Sequence, residues 1–171
     1  MLPEKLITIE NEISLTNKLG GELLAAGFNA SNSVIVTVST DYSAHVGMWL
    51  RHHLSWDGEV CDGFGIEVPY PDEVWNKRYM DEMYENFKLH AKYFQFKSII
   101  FVEAGVIRGG NYSHIIDWVR KRLEPSKKLI TLALYENIHS RFKSDFVGEY
   151  YDATNEDLTF WWERPNKHWK S

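Results

Sequence analysis

Residues 98–123, SIIFVEAGVIRGGNYSHIIDWVRKRL, constrain the fold of this chain more than any other stretch. The apolar, β-branched run Ile99-Ile100-Phe101-Val102 has the character of a strand buried on both faces. Beyond Glu103 and the turn Arg108-Gly109-Gly110-Asn111, the residues Tyr112, Ile115, Ile116, Val119 and Leu123 recur at the spacing of a helix with one apolar face. A buried strand passing directly into a helix is the unit from which a parallel sheet with packed helices is built. Two readings stand for the glycine pair. Either it makes a tight strand-to-helix turn with Asn111 or Ser113 as N-cap, or it lets the backbone approach a phosphate resting on the helix N-terminus. The spacing matches neither a Walker loop nor a dinucleotide fingerprint.

The same unit recurs along the chain. Leu15, Leu19, Leu23 and Leu24 predict a packing helix from Ser14, its N-cap, to Gly27, its stop. Val34–Val38 predicts a strand, followed by the polar turn Ser39-Thr40-Asp41-Tyr42-Ser43 and a helix carrying Val46, Leu50 and Leu54. Gly63–Val68 reads as a strand or hairpin arm. Asp72 caps a long helix whose stripe of Trp75, Tyr79, Met83 and Phe87 covers the sheet or meets a second subunit, making a homo-oligomer. After the breaker Glu124-Pro125-Ser126, Leu129–Leu134 supplies another buried strand, and Leu158–Glu163 a closing one. The expectation is an α/β fold, a mostly parallel central sheet flanked by helices on both faces. It forms one domain, with a core over residues 14–152 and a small C-terminal hood over 153–171. Ligands of such sheets gather at the carboxyl ends of the strands, so the segments after Val38, Val102 and Leu134 should converge on one pocket.

Charge and cysteine content narrow the function classes. A net charge of −5 with scattered basic residues argues against a nucleic-acid surface. Cys61 is the only cysteine, which excludes an intrachain disulfide and favours an intracellular location. The N-terminal MLPEKLITIENEIS lacks a signal-like apolar core, and no run approaches the ~20 apolar residues of a membrane span, so a soluble cytoplasmic protein is expected. His52 and His53 are adjacent and cannot share one helical face for a metal; they read as surface or edge residues.

The stretch around Arg108–Tyr112 resembles the ribose-phosphate loop of the type I phosphoribosyltransferases, whose strand ends in two acidic residues before a glycine-rich loop. Asp145-Phe146-Val147-Gly148-Glu149 followed by Leu158-Thr159-Phe160-Trp161-Trp162-Glu163 resembles the last third of the xanthine-guanine branch, with Trp161 in the place of a proline. The resemblance runs from about Leu15 to Arg164. It implies a PRTase-like fold that transfers, or binds, a 5-phosphoribosyl group from phosphoribosyl pyrophosphate to a nucleobase-like acceptor, with magnesium. The alternatives are an inactive module on the same fold that binds phosphoribose or a nucleoside monophosphate, and an unrelated α/β interaction protein.

Carried onto this sequence, the resemblance implies that Glu103 binds the ribose hydroxyls and a metal, while Ala104 stands where the second acid would be. Arg108, Gly109, Gly110, Asn111 and Tyr112 would cradle the 5-phosphate. Ser39, Thr40 and Asp41 form the pyrophosphate turn, without its glycines or positive charge, and Asp41 either helps hold magnesium or caps the helix. Glu136 takes the place of a lysine that contacts an exocyclic oxygen, and a carboxylate there prefers an amino group or a cation. Asp145 belongs to the base site or to a turn. Trp161 and Trp162 would alternate along a strand, so one stacks on a planar ring or packs under the sheet edge.

Overall fold

The computed structural model describes residues 2–38, 43–55, 59–66, 85 and 96–163, with all side chains among them except those of Asn111 and Glu163. Strand β1 (Glu4–Ile7) leads into helix α1 (Ile9–Ala25), then β2 (Ser33–Val38), α2 (Ala44–Leu54) and β3 (Asp62–Ile66). The second half holds β4 (Ser98–Val106), α3 (Gly110–Arg120), β5 (Lys128–Asn137), β6 (Phe146–Tyr151), β7 (Asp157–Phe160) and a 3-10 turn, Trp161–Glu163. The long helix expected after Asp72 falls outside the described residues apart from the helical Glu85, as do the Ser39-Thr40-Asp41 turn and the segment from Glu67 to Pro71.

Five strands form one sheet in the order β3-β2-β4-β5-β6, and every neighbouring pair is parallel. The apolar runs read as buried strands occupy its centre, with Ile99–Val102 and Leu132–Leu134 fully enclosed. One face packs Ile35, Ile100, Val102 and Leu132 against Leu19 and Leu23 of α1 and Val46, Leu50 and Leu54 of α2. The other packs Val34, Val36, Ile99 and Phe101 against Tyr112, Ile115, Ile116 and Val119 of α3. Helices therefore cover both faces, as the unbroken apolar strands require. Close approach of α2 to the sheet depends on Gly47, where a Cβ would stand 2.2 Å from Thr37 Cγ2. Among the described residues no helix is long and apolar enough to cross a membrane.

Two local expectations are corrected. Helix α1 starts at Thr8, not Ser14: the Thr8 hydroxyl accepts the Asn11 N–H, and Asn11 Oδ1 accepts the Thr8 N–H. The leucine spacing missed this turn because its residues, Glu10, Asn11 and Glu12, are polar and are placed by a capping box. The stop at Gly27 stands, with φ 88°, the Phe28 N–H on Leu23 O and the Gly27 N–H on Leu24 O, a Schellman end. The closing strand ends at Phe160, and Trp161 and Trp162 sit in the 3-10 turn, so strand alternation does not govern them. Apart from the main sheet, β7 pairs in parallel with β1, a strand of which the N-terminal residues carry no periodic sign.

Candidate functional site

Strand order creates the site. From β2 the chain moves outward to β3, then returns to the other side of β2 as β4, so the connections leaving β2 and β4 part at their carboxyl ends. That parting is the crevice in which open parallel sheets bind ligands. Glu103 lies there, inside β4 and paired in register with Ala133, because β4 continues beyond the expected Val102 to Val106. Ser43, the residue before α2, is fully buried; its hydroxyl donates to Glu103 Oε1 at 2.9 Å and accepts the Ala104 N–H at 3.0 Å. The Ala104 N–H also reaches Glu103 Oε1 at 3.1 Å. Burial lifts the Glu103 carboxyl to about 7, against the opposing pull of the Ser43 hydroxyl and the Ala104 and Gly105 N–H groups. The group is thus poised to change charge near neutral pH.

Beside Glu103 opens a cavity of about 250 Å³. Ala104, Gly105 and Ile107 continue its wall from β4; Tyr151 and Ala153 enter from the end of β6, and Glu156, Asp157, Leu158 and Phe160 close it from the β7 side. Asn137, at the end of β5, ties these walls together. Its Nδ2 donates to Ile107 O at 2.9 Å, and its Oδ1 accepts the His139 and Ala153 N–H groups at 3.2 and 3.3 Å.

The chain leaves the cavity through exposed Ile107 and Arg108 and enters α3 at Gly109. Gly109, not Asn111 or Ser113, is the N-cap: its φ is 74°, and it has no side chain with which to cap the helix. A Cβ on Gly109 would stand 2.6 Å from both Phe142 Cβ and Ser140 Oγ, so glycine is required by conformation and by packing. Gly110 faces open space, with nothing within 4 Å of a built Cβ. The first bond of the helix runs from the Ser113 N–H to Gly109 O, which leaves the N–H groups of Gly110, Asn111 and Tyr112 without intrahelical partners. An open, uncapped helix start of this kind suits an anion.

No protein-family model and no curated protein matches the sequence. Solved structures do match. The chain is similar to the xanthine-guanine-hypoxanthine phosphoribosyltransferase of Helicobacter pylori, with a TM-score of 0.68, 14% identity and 99% of each chain covered. The purine phosphoribosyltransferase of Pyrococcus horikoshii follows the same path with a TM-score of 0.64, 14% identity and 94% of each chain. The fold is that of the phosphoribosyltransferases. It is shared by a hypothetical protein of Neisseria gonorrhoeae solved with bound ppGpp, at a TM-score of 0.66 and 10% identity over 95% of this chain and 90% of that one.

Within this phosphoribosyltransferase fold the remaining candidate residues are spread apart. The Tyr112 hydroxyl donates to Phe101 O at 2.8 Å, so the side chain locks α3 to the sheet, and only its main chain faces the loop. Glu136 is wholly buried; its Oε2 accepts the Ser144 N–H at 2.8 Å, and Lys143 Nζ stands 3.5 Å from Oε1. Asp145 lies at the amino end of β6, where its Oδ2 accepts the Thr131 N–H and hydroxyl at 2.8 and 2.9 Å and so ties that end to β5. Trp161 donates its Nε1–H to Glu12 Oε2 at 2.8 Å, and Trp162 stacks on His45 and Phe160. Of these, none lines the cavity. Ser39, Thr40 and Asp41 lie outside the described residues.

Sequence reading overlooked Ser43, Asn137, Glu156 and Asp157. Ser43 was legible as the polar residue preceding a helical repeat, and Asn137 as an amide ending a long apolar strand. Among the described residues, no three His, Cys, Asp or Glu side chains are placed to hold a metal ion together. Glu103 contributes a single carboxylate, which fits magnesium bound chiefly by substrate phosphates and water.

Proposed function

We propose that the chain binds phosphoribosyl pyrophosphate and transfers its 5-phosphoribosyl group to a nucleobase-like acceptor. The observation that carries this reading is Glu103, anchored by Ser43 at the sheet's switch point, with a cavity on one side and the uncapped start of α3 following on the same strand. Likeness to purine phosphoribosyltransferases supports the reaction class, and the neighbour with bound ppGpp supports a phosphorylated ribose as ligand.

In this scheme the 5-phosphate rests on the N–H groups of Gly110, Asn111 and Tyr112, beside the Arg108 guanidinium. Glu103 accepts hydrogen bonds from the ribose hydroxyls and, when ionised, opposes the positive charge that grows on the sugar. The acceptor sits in the cavity and directs a ring nitrogen at C1. Its lone pair forms the new C–N bond as the C1–O bond breaks; that bond's electrons leave with pyrophosphate, and the acceptor's N–H proton is released. Magnesium, when bound, would neutralise charge on the leaving pyrophosphate, with Glu103 and Asp41 as the carboxylates offered to it.

Calorimetric titration with phosphoribosyl pyrophosphate and with ribose 5-phosphate, each with and without magnesium, tests the proposal. Magnesium-dependent binding of the pyrophosphate compound, followed by pyrophosphate release on adding a base, is the expected result. Absence of binding to both compounds would overturn it.

A further inference from the structure

The cavity beside Glu103 has a one-sided polar lining. Among the described residues its acidic groups are the carboxyls of Glu103, Glu156 and Asp157, and no basic side chain lines it. Carboxylates accept hydrogen bonds and donate none. Tyr151 adds a hydroxyl whose pKa is pushed up to about 12, first by burial and then by the charges of Asp157 and Glu156, so it stays protonated under ordinary conditions. Glu156 is half-buried and Asp157 exposed, so the two acids stand at the cavity's rim on the β7 side. The remaining wall is apolar: Ile107, Ala153, Leu158 and Phe160, with Gly105 bare where a Cβ would stand 3.6 Å from the Phe160 ring.

The acidic wall is held in place before any ligand arrives. Asp152 accepts the Thr154 N–H and hydroxyl at 2.9 and 2.7 Å and the Asn155 side-chain amide at 2.7 Å. The Glu156 N–H bonds Asp152 O, and the Asp157 N–H bonds Pro3 O, each at 3.0 Å. These bonds fix the turn's main chain, so a ligand has only the Glu156 and Asp157 side chains left to order.

We propose that this cavity takes a flat heterocycle bearing exocyclic amino groups, in preference to one bearing oxo groups alone, with Glu156 and Asp157 as the residues that read the difference. The inference rests on the phosphoribosyl-transfer reading for the orientation of the ring, but the selectivity follows from the lining itself. An amino group supplies donors to carboxylates that lose water when the cavity fills. A ring carbonyl in the same place sets an acceptor against an acceptor and leaves both unpaired. Glu136, near the end of β5, is buried and accepts the Ser144 N–H, so it offers an oxo group no donor either.

The test is calorimetric titration of the full chain, saturated with ribose 5-phosphate, with adenine and 2,6-diaminopurine against hypoxanthine and xanthine. The amino-bearing rings are expected to bind on the order of tenfold more tightly or better. In the Glu156→Gln/Asp157→Asn double variant, folded by circular dichroism, that preference should collapse, because a side-chain amide offers donors as well as acceptors. Equal or tighter binding of hypoxanthine and xanthine to the wild-type chain, or an unchanged preference in the double variant, would overturn the inference. Failure of the transfer reading registers separately, as absence of ribose 5-phosphate and phosphoribosyl pyrophosphate binding to the wild-type chain while the ring preference persists.

Discussion

The Ser43 hydroxyl donates to Glu103 Oε1 at 2.9 Å and accepts the Ala104 N–H at 3.0 Å, so one buried side chain joins the start of α2 to β4 across the crevice. Ser43→Ala removes both bonds and should cost about 1–3 kcal/mol in a denaturant titration. It should also raise the pKa of Glu103 further, since the lost hydroxyl favoured the ionised form. A carbonyl infrared band for the Glu103 acid that persists to higher pH in the variant than in wild type is the expected signature.

Glu103 makes stability fall as pH rises. Its folded pKa is about 7 against an ordinary value of 4.5, so the contribution of the protonated form is complete below about 4.5 and is lost as pH climbs through about 7. Glu103→Gln should match wild type at the acid end of that window and exceed it in Tm above about pH 7, with chelator present. A variant no more stable than wild type at about pH 8 would mean that the ionised carboxylate is fully compensated in the fold.

The two glycines at the head of α3 should respond differently. Gly109→Ala meets a φ of 74° and atoms at 2.6 Å, and should destabilise the protein by about 1–3 kcal/mol. Gly110→Glu enters open space at a helix N-terminus, where a negative charge favours the helix; Tm should hold, while ribose 5-phosphate binding weakens more than tenfold. Unimpaired phosphate binding in the folded Gly110→Glu protein would remove α3 from the site.

Asn137→Ala releases Ile107 O and the Ala153 and His139 N–H groups together. Stability should drop by about 2 kcal/mol. Hydrogen exchange should quicken at Ala153 in particular, because the cavity wall it belongs to loses its tie to β5.

Trp161→Phe deprives the buried Glu12 of the Nε1–H donor 2.8 Å from Oε2, while Oε1 already has no hydrogen-bond partner. Burial raises the Glu12 pKa and the Trp161 bond opposes that rise, so its loss moves the pKa further up. The destabilisation, about 1–3 kcal/mol, should therefore be larger at about pH 8 than at about pH 5 in paired thermal melts.

Much of the architecture was legible because buried strands and amphipathic helices carry their own periodicity. The Val34–Val38 and Ile99–Val102 runs read as sheet centre and the repeat from Tyr112 as a covering helix, which ends at Arg120, short of Leu123. Glu103 stood out as the acid ending an apolar run. The lining of the cavity was less legible. Glu136 and the two tryptophans were chemically suited to bind a base, but the fold turns Glu136 onto the Ser144 N–H and Trp161 onto Glu12, and it lines the cavity with Glu156 and Asp157 from a turn that has no periodic signal.

By itself, the sequence determined a parallel sheet covered on both faces and a glycine turn opening a helix, because hydrophobic period and glycine conformation act over a few residues. Only the tertiary structure decided that Glu4–Ile7 pairs with Asp157–Phe160, that Ser43 holds Glu103, and that Asn137 joins Ile107 to Ala153. Each of these contacts joins segments remote in the chain, and such pairings are selected by the packing of the whole rather than by any pattern within either segment.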